Sequence, residues 1–126
     1  MVAEDHAAVR TNVVRLLSKS YDVVGTVSDG RALLEAIDTL EPDVLVVDFS
    51  LPIISGIEAA SILQQRAHPS KIVFMTVHND PDFVRATRDA GALGYVLKQR
   101  MNTDLPEAIE KACAGECFTS PSVRGL

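Results

Sequence analysis

Five short apolar runs, rich in β-branched residues, alternate along this chain with stretches whose apolar residues recur every three or four positions. The runs are Met1 to Ala3, Tyr21 to Val27, Val44 to Val47, Ile72 to Met75 and Leu93 to Leu97. None strictly alternates apolar with polar, as expected of strands covered on both faces. Between them Val9, Val13, Leu16 and Leu17 keep helical spacing, as do Leu33, Ile37 and Leu40, then Ile57, Ala60 and Leu63. Phe83, Ala86 and Ala90 mark a fourth helix, and Leu105, Ile109, Ala112 and Cys113 a fifth. Five strand and helix units in alternation predict an α/β fold, a parallel sheet with helices on both sides.

Local signals punctuate this pattern. Asp80 followed by Pro81 reads as an N-cap with proline at the first helical position. Asp104, three residues before Glu107, reads as a capping pair, and Gly91 is placed to end the fourth helix. The tail, with Ser120, Pro121, Ser122 and Gly125, reads as the start of a linker. The expected division is one domain over residues 1–116 and a linker beginning within 117–126.

A chain of 126 residues suits one domain with a single core. Its apolar fraction of 47% and charged fraction of 23% are those of a globular protein rather than a disordered one. Acidic Glu4 and Asp5 stand where a secretory signal would need positive charge, and no run is long enough to span a membrane, so a cytoplasmic location without membrane contact is expected. The net charge of −5, with Lys and Arg scattered, argues against this piece gripping nucleic acid. Cys113 and Cys117 have no second Cys or His cluster nearby and are expected to be buried or half-exposed structural thiols.

In a doubly wound parallel sheet, ligands bind beyond the carboxyl ends of the strands, where the strand order reverses. The residues just after the apolar runs are Glu4 and Asp5, Asp48, Thr76 and Lys98. Carboxylates crowded there repel one another unless a cation intervenes, and hard oxygen ligands suit Mg²⁺. Lys98 could then neutralise a phosphoryl group beside the metal.

The pair Glu4-Asp5, Asp48 in DVLVVDFSLPIISG, Thr76 in KIVFMT and Lys98 in GALGYVLK together resemble the response-regulator receiver family of two-component systems, over essentially the whole chain. The resemblance implies a flavodoxin-like (βα)₅ fold of strand order 2-1-3-4-5, an order for which a member of this family is a standard example. It implies that Asp48 accepts a phosphoryl group from a sensor histidine kinase. Asp5, Asp48 and the backbone carbonyl of Ser50 would ligate Mg²⁺, with Glu4 acting through water. Thr76 would bond the phosphoryl oxygen, Lys98 would pair with it, and Tyr95 would change rotamer on activation. The tail GECFTSPSVRGL resembles the segment after the last receiver helix in regulators of the NarL/FixJ type. Transcriptional control would then act on DNA through a C-terminal domain absent from this chain, and a homodimer is a further expected partner.

Taken singly, these residues have ordinary structural explanations: a turn aspartate, a solvated lysine, a β-forming threonine, a packing tyrosine. Their shared placement at strand ends favours the functional reading. His6 and His78 flank the crevice without an expected catalytic role, and His68 beside Pro69 is expected to be structural. Two departures stand out. Only three residues precede the acidic pair, so the native start is expected upstream, and Gln99 rather than proline follows Lys98. A hydrolase of the haloacid dehalogenase type would need a second aspartate at position 50, which is Ser50. The sequence is also compatible with a stand-alone receiver, or with an interaction module that works without phosphorylation.

Overall fold

Each apolar run forms a strand and each amphipathic stretch a helix. The computed structural model, which describes residues 1–121, runs β1 (Val2–Ala3), α1 (Ala7–Leu17), β2 (Thr26–Val27), α2 (Gly30–Leu40), β3 (Val44–Asp48) and α3 (Gly56–Gln65). It continues with β4 (Lys71–Thr76), α4 (Pro81–Asp89), β5 (Gly94–Leu97), a 3-10 turn (Lys98–Arg100), α5 (Met101–Cys113) and β6 (Phe118–Thr119). Every strand pair is parallel, in the order β2-β1-β3-β4-β5-β6. The expected 2-1-3-4-5 order is present, with one strand added at the β5 edge.

The two-residue period of the strands sorts side chains between the faces. Val46, Val73 and Val96 meet Val13 and Leu17 of α1 and Leu105 and Ile109 of α5. Leu45, Val47 and Phe74 meet Leu33 and Ile37 of α2 and Ala59 and Leu63 of α3. A smaller group joins Tyr95 and Leu97 to Val84 of α4. Reversal of strand order at β1 opens the crevice between the ends of β1 and β3.

Four expectations are corrected. The segment from residue 117 is not yet linker: the Phe118 and Ser120 amides donate to the Leu93 and Tyr95 carbonyls, each at 2.9 Å, and the Phe118 ring is buried. A boundary at 116 would cut through folded structure; Ser122 and Gly125 lie outside the described residues. The second strand shrinks from Tyr21–Val27 to Thr26–Val27, which pair with Val2 and Ala3 of β1, and Tyr21 and Val24 are exposed. Asp104 does not cap: α5 begins at Met101, directly from the 3-10 turn, and buries Asp104 within its first turn. Cys113 and Cys117 are exposed rather than buried or half-exposed: α5 ends at Cys113, and Gly115, at φ +76°, turns the chain before Cys117.

Other local signals hold. Asp80 caps α4 by accepting from the Asp82 amide, with Pro81 at the first helical position, and Gly91 follows that helix at φ +93°. Among the described residues no peptide bond is cis. Gly56 allows the start of α3 to press on the end of β3: a Cβ there would sit 2.3 Å from the Asp48 carbonyl oxygen.

Candidate functional site

Glu4, Asp5 and Asp48 each offer a carboxylate oxygen, and these oxygens lie within 4.8 Å of one another. The strands fix this geometry, because β1 and β3 run parallel with Ala3 beside Val47, which sets the residues that follow side by side. Lys98 reaches in from the end of β5, with Nζ 2.9 Å from Glu4 Oε1 and 3.3 Å from Asp48 Oδ1. The Ser50 amide donates to Asp48 Oδ1 at 3.3 Å, and the His6 amide donates to Glu4 Oε2 at 3.0 Å. Glu4 is fully buried, Asp48 nearly so, and Asp5 is exposed at the mouth.

Three carboxylates face one ammonium, so the crevice is short of positive charge. Burial pushes the Glu4 carboxyl above its usual range and the Asp48 charge adds to this, while Lys98 and the His6 amide pull it back. Burial alone would lower the Lys98 ammonium, yet Glu4 and Asp48 together raise it above its ordinary value. Glu4 Oε1 is close to Lys98 but receives no well-angled hydrogen bond, leaving a buried lone pair unused. A hard divalent cation with few protein ligands fits this donor set.

Thr76 ends β4 beside Leu97 of β5 and is buried. Its Oγ1 accepts from the His78 amide at 3.0 Å. The Tyr95 ring is buried too, and its hydroxyl donates to the His78 carbonyl at 2.6 Å. Burial raises the Tyr95 phenol above its ordinary value. Thr76 and Tyr95 therefore meet through one turn, the backbone of His78.

The model of the response regulator receiver domain family matches residues 1–110. The chain belongs to the response-regulator receiver family. It is 32% identical over 127 residues to the probable transcriptional regulatory protein NarL of Mycobacterium tuberculosis, covering 99% of this chain and 59% of that protein. The receiver thus spans about three fifths of the curated relatives' length. The crystal structure of a two-component response regulator of the LuxR family from Aurantimonas superposes with a TM-score of 0.92 at 33% identity, covering 98% of this chain and 89% of that one. A Salmonella typhimurium RcsB response regulator, described for its conformational dynamism in DNA interaction, superposes at 0.88 with 31% identity, covering 97% of this chain and 62% of that one. The NarL match accords with the NarL/FixJ resemblance of the tail.

Some residues of the receiver site escape sequence reading. Arg10 of α1 donates to the Glu4 carbonyl at 2.8 Å and so ties the loop carrying the acidic pair to the helix below it. Phe49 packs edge-on to both His78 and Phe83, and the His78 imidazole stacks on Phe83 with centroids 4.4 Å apart. His78, expected only to flank the crevice, is the hub of this cluster; its position two residues after a threonine is the local signal of a side chain that bonds its own turn. His6 caps α1, with Nδ1 accepting from Val9, and His68 accepts from the Ser70 amide in the loop before β4. A cleft of about 260 Å³ lined by Met1, Tyr21, Val24 and Cys113 opens at the other end of the strands, where β1 and β3 begin. It lies away from the carboxylates.

Proposed function

We propose that this chain is the phosphoacceptor module of a two-component response regulator, taking a phosphoryl group from a phosphohistidine on a sensor histidine kinase onto Asp48. The observation that carries the reading is the sharing of one ammonium, Lys98, by Asp48 and a second buried carboxylate, Glu4, in the crevice. In the transfer, an Asp48 carboxylate oxygen forms a bond to phosphorus as the phosphorus–nitrogen bond of the donor breaks. The electron pair leaves with the imidazole, which takes a proton from solvent. A carboxylate is a weak nucleophile, but phosphoryl transfer asks chiefly for in-line positioning and charge neutralisation.

Asp5 and Asp48, together with the Ser50 carbonyl and Glu4, would hold Mg²⁺, which would supply charge neutralisation for the incoming phosphoryl group. The chain's own residues supply the rest. Lys98 pairs with a phosphoryl oxygen, releasing part of its hold on Glu4, and the Thr76 hydroxyl donates to another. When Thr76 turns to the phosphoryl group, the His78 turn loses an anchor, and Tyr95 and Phe83 beyond it respond. The buried Tyr95 ring is the element expected to change rotamer. Hydrolysis of the acyl phosphate by water returns the domain to its first state.

The output is proposed to be control of transcription by a C-terminal DNA-binding domain, in keeping with the full-length relatives, with a homodimer as an expected assembly and the cytoplasm as the location. Incubation with acetyl phosphate and Mg²⁺ tests the chemistry: intact mass should rise by one phosphoryl group in the wild type and stay unchanged in Asp48→Asn. An equal rise in the mutant would overturn the assignment, and no rise in either would favour a phosphorylation-independent interaction module.

A further inference from the structure

Asp104 is a buried carboxylate that the proposed phosphoryl chemistry does not use. It is 2% exposed, in the first turn of α5, where an unpaired charge would be costly. Its partners explain its survival there. Arg100 Nε donates to Oδ2 at 2.8 Å and Nη2 to Oδ1 at 3.3 Å. The Ser120 hydroxyl, also buried, donates to Oδ2 at 2.7 Å.

Ser120 also faces the other way. Its Oγ accepts from the Leu97 amide at 3.0 Å, and Leu97 is the residue immediately before Lys98. The single hydroxyl thus joins the end of β5 to α5 from a position just beyond β6. Two further bonds hold that segment: Ser120 N–H to the Tyr95 carbonyl at 2.9 Å, and Arg88 of α4 to Thr119 Oγ1 at 2.9 Å. The segment after α5 is therefore fastened to α4 and to the strand that carries Tyr95 and leads into Lys98.

We propose that Ser120, held by Asp104, is a positioning residue for Lys98, so that the segment after α5 and the phosphorylation crevice report on each other through the Leu97 amide. The proposal rests on the phosphoacceptor reading above. Lys98 leaves the strand at Leu97 and enters the 3-10 turn at once, so a hydrogen bond on the Leu97 amide sets where the lysine stem begins. A 1 Å misplacement of a catalytic cation is costly to rate even when the fold is intact. By the same coupling, redirection of Lys98 from Glu4 to a phosphoryl oxygen changes the strain on the Ser120 bond, and the chain leaving residue 120 receives the signal.

The test uses the full chain as wild type, Ser120→Ala and Ser120→Thr, the last keeping the hydroxyl. Three quantities are measured: amide hydrogen exchange at Leu97, the thermal midpoint, and the rate of phosphorylation by acetyl phosphate with Mg²⁺. Ser120→Ala should speed Leu97 exchange about tenfold, the equivalent of one hydrogen bond of ordinary net strength, and slow phosphorylation severalfold; Ser120→Thr should restore both. A phosphorylation rate unchanged in Ser120→Ala despite faster Leu97 exchange would overturn the proposal. Independently of any variant, BeF₃⁻ with Mg²⁺ should alter Leu97 exchange in the wild type, and an unaltered rate with the probe bound would also overturn it. Failure of the wild type itself to be phosphorylated would instead refute the phosphoacceptor reading on which the proposal rests.

Discussion

Lys98 Nζ stands closer to Glu4, at 2.9 Å, than to Asp48, at 3.3 Å. The ammonium is thus anchored on the carboxylate expected to keep out of the covalent chemistry, and it remains near the one expected to enter it. Removing this cation leaves two buried carboxylates facing each other. Loss of one partner from a fully buried pair costs roughly 3–5 kcal/mol, and the partial exposure of Lys98 moves the expectation to about 2 kcal/mol. Lys98→Ala should therefore lower stability by that amount in urea denaturation, and Mg²⁺ should recover part of the loss. A variant as stable as the wild type without Mg²⁺ would show that the pair is solvent-screened.

Glu4 predicts a pH dependence. Its folded pKa is raised, chiefly by burial, above the ordinary 4.5. A raised folded pKa means that the folded state holds the proton more tightly. The favourable contribution is full below the unfolded pKa and is lost as pH rises through the folded one. Relative to Glu4→Gln, the wild type should therefore gain stability as pH falls from 7 towards 4.5, in the absence of divalent ions. Thermal midpoints of both proteins across that window check the sign, and a wild type that loses ground on acidification would reverse it.

Ile53, in the loop between β3 and α3, has φ +70°, a left-handed conformation that a β-branched residue adopts only under strain. It is 69% exposed, so little burial offsets this cost. Asparagine tolerates the conformation, and Ile53→Asn should raise stability by about 1 kcal/mol. Chemical denaturation checks it, with unchanged or lower stability counting against the strain.

The strand ends were the legible part of the molecule. Asp48, Thr76 and Lys98 each follow an apolar run, so their convergence could be read from periodicity and the rule for parallel sheets. What stayed hidden depends on partners distant in sequence. Phe118–Thr119 is too short to announce itself as a strand and forms because the edge of β5 is there to pair with. Asp104 carries the local signature of a cap, but the turn from Lys98 starts the helix early and Ser120 satisfies the carboxylate from 16 residues away. β2 pairs with β1 through Thr26 and Val27 alone, which the apolar run from Tyr21 does not announce.

The bonds from the His78 amide to Thr76 and from Tyr95 to the His78 carbonyl predict that signalling and chemistry separate in Thr76→Ala. The variant should still be phosphorylated. Amide chemical-shift changes at Tyr95 and along Phe83 to Ala90 on adding BeF₃⁻ and Mg²⁺ should shrink relative to the wild type. Equal changes in both proteins would return Tyr95 to a packing role.

Covalent chemistry at Asp48 leaves a trace that borohydride can fix in place. An aspartyl phosphate is an activated acyl group, and borohydride reduces it to homoserine, whereas a free carboxylate does not react. After acetyl phosphate and Mg²⁺ treatment, peptide mass spectrometry of the reduced protein should find homoserine at position 48 and aspartate unchanged at positions 5 and 104. Homoserine at another position, or phosphorylation that leaves residue 48 intact, would contradict the assignment of Asp48 as the phosphoacceptor.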